Sequence, residues 1–363
     1  MEQRPTDAKL LVMKWLLPAA VMISLAGCGG SSHKPESATT CSATWQALIR
    51  PKPWDITSSL VYNDGTLYYG SYAGNAIVAQ PVDGGPSRVF AAVSTLELWL
   101  EGDHLLFSQG NDAVQIGSVP LSGGTPQIVL DGAAGRTTTG LATAHVFTPT
   151  DFYWSEIPFP AAQSPTTVWH QSRSGGLPEA LGTIAFQNQL SATAIALGNN
   201  SVLAATLSGE AYTLPITGGA PSPLASPAPQ PGVMVELAGL DALGAYTTLF
   251  FSAQAGPLML SPADGSPTKP FWSTLPSDAQ VEKIWPNPEG GWVVVATQAF
   301  DDGLFHTTLT LLDEQGTAIR LGCSPTDTER AWITVPVAIA PDAVYAATKD
   351  LTASTWAIDR IAR

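Results

Sequence analysis

Charged side chains make up only 13% of the 363 residues, about half the usual share. Lys, Glu and Arg are therefore scarce, and with them the surface residues that build exposed helices, so a helical bundle or coiled coil is excluded. Basic charge is the scarcer kind: 16 Lys and Arg stand against 30 Asp and Glu, a net charge of −14. A chain of that sign does not coat nucleic acid or an anionic lipid surface. The five histidines (His33, His104, His145, His170, His306) are scattered, with no HxH or HExxH spacing for a zinc site. Neither a GxSxG elbow nor a P-loop occurs. Asp-Gly pairs at Asp64, Asp83, Asp264 and Asp302 lack the alternating ligands and closing Glu of a calcium loop, and read as turns. These absences predict no catalytic, metal or cofactor-binding residues, and a chain that is not an enzyme.

What is present begins with an address. Arg4, Lys9 and Lys14 precede a short apolar run, Trp15 to Ala26 (WLLPAAVMISLA). That run is too short to cross a bilayer of ~30 Å as a helix, and reads as a signal peptide. It ends in Leu25-Ala26-Gly27-Cys28, which resembles the bacterial lipobox. The resemblance implies cleavage before Cys28, acylation of that residue and anchoring by several acyl chains. Gly29 after the Cys implies the outer membrane or cell surface of a Gram-negative host. Gly29 to Thr40 (GGSSHKPESATT) is a polar tether with a span of ~20 Å. The expected organisation is a signal peptide over 1–27, a lipidated Cys and tether over 28–43, and one folded domain over 44–363.

Gly (33) and Pro (30) are plentiful, and they punctuate a repeat. VPLSGGTPQIVL (Val119 to Leu130) is a strand, a Gly-Gly turn and a strand; Pro81 to Phe90, Ser172 to Leu181 and Leu214 to Leu224 repeat the phrase. Two-residue hairpin loops need positive φ, which Gly takes at no steric cost. Upstream of these hairpins lie TLYYGS (from Thr66), HLLFSQ (from His104), DFYWSE (from Asp151), SVLAAT (from Ser201), TLFFSA (from Thr248), GWVVVAT (from Gly291) and AVYAAT (from Ala343). Each follows a turn and an earlier apolar run, such as LELWL (Leu96 to Leu100), ATAIAL (Ala192 to Leu197) or VPVAIA (Val335 to Ala340). Four strands per unit at roughly 40 to 50 residues predict an all-β fold, a single β-propeller of seven four-stranded blades, with six or eight as the alternatives. The last unit runs out after TWAID (Thr355 to Asp359), and WQALI (Trp45 to Ile49) is placed to supply its missing strand.

The second-strand and PxxGGxP phrases resemble the TolB-like and YWTD-like propellers, and more loosely the lipoprotein propeller of outer-membrane assembly. The resemblance implies the fold and leaves the activity open. The quinone-binding Trp motifs are absent, and no cofactor is expected. With Cys28 lipidated, Cys41 and Cys323 remain as a disulfide pair near ring closure. Trp154 and Trp169, beside the long segment Ile157 to Thr167, are the candidate binding platform. The expected role is a membrane-anchored binding or scaffold propeller with a protein, peptide or carbohydrate partner and no nucleic acid. The alternatives are a lyase or lactonase using the central channel, or an accessory factor of outer-membrane assembly. LELWL, ATAIAL, VPVAIA and ITSSL (Ile56 to Leu60), taken as innermost strands, carry the single carboxylate Glu97, which favours binding.

Overall fold

A computed structural model describes residues 45–49, 59–71, 74–95, 97–109, 114–137, 139–158, 165–186, 192, 194–197, 200–206, 210–223, 233–240, 246–252, 258–262, 269–272, 279–287, 290–299, 305–313, 315–324, 337–350 and 355–363. Cys28, the tether and Cys41 lie outside them, as does most of the segment after Pro158 that precedes Thr166.

Strand β1 is Trp45–Ile49. Blade I follows with β2 (Leu60–Asn63), β3 (Thr66–Ser71), β4 (Ala76–Pro81) and β5 (Arg88–Ala91); blade II has β6 (Glu97–Glu101), β7 (His104–Gln109), β8 (Gln115–Pro120) and β9 (Gln127–Asp131). Blade III is β10 (Gly140–Phe147), β11 (Asp151–Pro158), β12 (Thr166–Ser172) and β13 (Glu179–Ile184); blade IV is β14 (Ala194–Leu197), β15 (Ser201–Ala205), β16 (Ala211–Pro215) and β17 (Ser222–Pro223). Blade V is β18 (Val233–Leu240), β19 (Tyr246–Ser252), β20 (Leu258–Pro262) and β21 (Lys269–Trp272); blade VI is β22 (Gln280–Pro286), β23 (Trp292–Ala299), β24 (Phe305–Leu312) and β25 (Ala318–Cys323). Blade VII contributes β26 (Val337–Ile339), β27 (Ala343–Asp350) and β28 (Thr355–Ala362), and β1 adds to β28 as its outermost strand, with Trp45 opposite Ile361. Seven four-stranded antiparallel sheets result, and the first and last parts of the described chain close one blade together.

The Gly-Gly phrases are the turns between third and fourth strands. In four of them the first glycine donates its N–H to the carbonyl three residues earlier: Gly84 to Pro81, Gly123 to Pro120, Gly175 to Ser172 and Gly218 to Pro215. Gly123 and Gly124 have φ of 92° and 144°, a region that side chains with a Cβ avoid. A register shift follows each time in blades I, II and III, between Ile77 and Val78, Ile116 and Gly117, and Val168 and Trp169. Such a bulge increases the local twist, which the outer edge of a radially packed blade requires.

Where their side chains are described, second strands are covered on both faces by neighbouring blades and read as unbroken apolar runs. Val202, Leu203 and Ala204 of β15 and Val344, Ala346 and Ala347 of β27 are fully buried. The core is correspondingly divided into wedges: one between blades VII and I around Leu67 and Tyr345, one between I and II around Ile77 and Phe107, one between III and IV around Val168 and Leu214. In blade I the innermost strand begins at Leu60 rather than ending there, because the alternation continues through Val61 and Tyr62 to the Asp64-Gly65 turn, where both φ angles are positive.

Candidate functional site

Innermost strands of neighbouring blades approach closely at most positions of the ring: β26 with β2, β2 with β6, β10 with β14, β14 with β18 and β18 with β22. Among the described residues, β6 and β10 do not share that close approach, nor do β22 and β26. At the seam between blades II and III the space is filled by side chains. Residues two apart on a strand share a face, so Glu97 and Trp99 of β6 project together, as do His145 and Phe147 of β10. Nε2 of His145 lies 2.8 Å from Oε2 of Glu97. The ring of Trp99 stands nearly perpendicular to that of His145, at 4.8 Å, and meets Phe147 at 4.6 Å. The His145 side chain is 16% exposed and that of Glu97 44%, so solvent reaches the pair.

From Phe147 an aromatic column runs outward along the seam: Phe147 stacks on Phe152, Phe152 on Trp154 and Trp154 on Trp169. Arg136 closes it, its guanidinium 3.8 Å from the Trp169 ring centre, a cation–π contact. Arg136 also donates to both oxygens of Glu156, at 2.9 and 2.5 Å, and Glu156 accepts further from the Trp154 indole N–H and from the Gly140 backbone N–H. Arg136 and Glu156 are only 10% and 5% exposed. With four donors around it, the Glu156 carboxylate is a fixed structural anion, and its chemistry is to hold the linker between blades II and III.

The other end of the seam is clamped as well. Arg173 makes a two-pronged pair with Glu101 of β6 and donates to the Thr148 carbonyl at 3.1 Å. That hydrogen bond from Arg173 holds the Glu101 carboxyl below its ordinary range. Asp151 accepts from the Thr150 hydroxyl at 2.6 Å and sits 2.7 Å from Nε2 of His170; the two contacts, the hydroxyl first, keep its carboxyl ionised to lower pH. Between these satisfied clamps, Glu97, His145 and Trp99 are where the seam opens toward solvent with polar groups beside an aromatic ring.

Several expectations change here. Trp154, expected on a binding platform, is 0% exposed and belongs to the aromatic column. Trp169 is half-buried, with Arg136 over its ring and its indole nitrogen buried without a hydrogen-bond partner, so it too packs rather than presents. Trp272 is buried and Trp285 packs into the wedge between blades VI and VII. The scattered histidines find partners within the fold: His145 reaches Glu97, His170 reaches Asp151, and His306 is buried with Nδ1 2.5 Å from the Ser324 carbonyl. The four segments with the single carboxylate Glu97 are only part of the innermost set, because β10, β18 and β22 also belong to it and carry His145, Glu236, Glu282 and Lys283. Strand β10 (GLATAHVF) is diluted by Ala and Thr, and its turn to β11 contains no glycine, so neither signal stood out. No group of three His, Cys, Asp or Glu suited to a metal occurs among the described residues.

No known family matches the chain, and no curated protein does. Solved structures do share its fold. A streptogramin B lyase structure matches 87% of this chain and 97% of its own, at TM-score 0.56 and 10% identity. Oligogalacturonate lyase from Vibrio parahaemolyticus matches 90% and 96%, at TM-score 0.58 and 10% identity. An oligogalacturonate lyase in complex with manganese matches 91% and 96%, at TM-score 0.61 and 8% identity. At such identities the likeness is one of fold, and it establishes the propeller. It also corrects the expectation that the chain is not an enzyme, because the structures that share this fold include lyases.

Proposed function

We propose that this chain is a membrane-anchored propeller that holds its ligand at the solvent-open end of the seam between blades II and III. The observation that carries the reading is the His145–Glu97 pair beside Trp99, on two innermost strands that stand apart. A partly exposed aromatic ring next to a paired imidazole and carboxylate supplies stacking and directional polar contacts in one place, which is what small-molecule and peptide sites require. The lipobox sequence ending in Cys28 supports an anchor in the outer membrane or at the cell surface. We further propose that Cys41 bonds to Cys323, which ends β25 and is 3% exposed.

A second reading is lyase-type catalysis at the same place, favoured by the lyase neighbours and by His145. In an elimination a base takes a proton from carbon, the leaving group departs with its electron pair, and a carbon–carbon double bond forms. An imidazole oriented by a carboxylate is equipped for the first step. One panel tests both readings. The full chain in detergent is titrated with neutral oligosaccharides, uronic-acid oligosaccharides and short peptides, following binding by calorimetry and the new double bond by ultraviolet absorbance. Binding or turnover that is lost in Trp99→Leu and Glu97→Gln supports the seam. A ligand that binds both variants as well as the parent places the site elsewhere.

A further inference from the structure

The geometry points to a cation site at the mouth of the seam, occupied in the resting protein by the side chain of His145; this rests on the seam being the ligand site. Glu97 and Trp99, on one face of β6, offer a carboxylate and an aromatic ring side by side, the two groups that recognise ammonium and guanidinium ions. The imidazole of His145 is the group now lying between them, 2.8 Å from the carboxylate and 4.8 Å from the Trp99 ring. A ligand's ammonium or guanidinium group would take that place by displacing the imidazole.

The surrounding charges keep this selection. Facing His145 are Glu97 and Trp99 from β6, and the rings of Phe147 and Phe152 from its own blade. The basic groups along the seam are committed elsewhere, Arg173 to Glu101 and Arg136 to Glu156. The seven innermost strands carry four glutamates (Glu97, Glu101, Glu236, Glu282) and Lys283 as their one basic residue besides His145. A polyanion approaching along the axis meets a field of its own sign, so the ligand class here is cationic, in contrast to the uronate chains that one neighbour's name implies.

The test titrates the full chain in detergent with tetramethylammonium chloride and, separately, with sodium polygalacturonate, at fixed ionic strength, reading tryptophan emission against a Trp99→Leu control. Tetramethylammonium should bind, and His145→Ala, which removes the side chain now filling the place, should tighten binding about tenfold, whereas Glu97→Gln and Trp99→Leu should each weaken it by about tenfold. Polygalacturonate should not bind. A His145→Ala variant that binds tetramethylammonium no more tightly than the parent overturns the role of His145. Tighter binding of polygalacturonate, if sensitive to Trp99→Leu, overturns the cationic class while keeping the seam. Tetramethylammonium binding that ignores both Glu97→Gln and Trp99→Leu removes the seam reading itself.

Discussion

Glu97 and His145 sit on the innermost strands of different blades, yet a carboxylate oxygen of one stands 2.8 Å from a ring nitrogen of the other. The contact exists only because the ring brings blades II and III side by side. The wedge between these blades combines aliphatic side chains such as Leu106 and Ile116 with the stacked rings of Phe147, Phe152 and Trp154, and ion pairs bound it at both ends.

The buried clamp gives the first prediction. Arg136→Met leaves the Glu156 carboxylate in a site where only 5% of it is exposed, with two of its donors gone. Removing one partner of a buried pair costs about 3–5 kcal/mol, so denaturant unfolding should show a loss of that order. Replacing both, as Arg136→Met with Glu156→Gln, should recover much of it. If the double variant is no better than the single one, the pair is not what holds the linker.

Acid should loosen the opposite clamp. Glu101 and Asp151 have folded-state pKa values below their ordinary ones, so their contribution is full above the unfolded carboxylate range and is lost as pH falls through the folded values. Both are partly exposed, which limits each to about 1 kcal/mol or less. The melting temperature should hold from pH 7 to about 5 and fall below about 4.5. The combined variant Glu101→Gln and Asp151→Asn should fall less steeply over that acid range; an identical acid slope would assign the loss to other carboxylates.

Hairpins were the most legible part of the structure. All seven second strands, the closing strand β1 and β28 follow from short apolar runs bounded by turn residues, since each signal lies within a few residues of what it specifies. The site was not legible in that way. Trp99 and His145 occupy matching positions, each three places before a hairpin turn, but their meeting depends on which blades are neighbours and how far apart their inner strands stand. Trp154 misled for the converse reason: an aromatic ring fills a wedge or presents a platform with the same local sequence, and only the ring of blades decides.

The Gly-Gly turn tests the hairpin reading. Gly123→Val with Gly124→Val forces two β-branched residues to φ of 92° and 144°, and stability should drop by about 1–3 kcal/mol. The turn is on the outer part of blade II, so a ligand of the seam should bind the folded fraction unchanged. An unaltered melting temperature with lost binding would give these glycines a recognition role instead.

Covalent features are open to direct assay. Cys28→Ser should release the protein from membranes or leave residues 1–27 uncleaved, read by fractionation and palmitate labelling; unchanged labelling excludes Cys28 as the anchor. A non-reduced digest should contain a linked Cys41–Cys323 peptide, and Cys41 recovered as a free thiol excludes that pairing.

The most direct measurement is photo-crosslinking in intact cells of the producing organism, with p-benzoylphenylalanine placed at position 99 in the seam or at position 128 on the outer strand β9. Adducts formed from position 99 and suppressed by Glu97→Gln, with none from position 128, are what a working site between blades II and III predicts. Adducts from position 128 alone would put recognition on the outer rim and contradict the account.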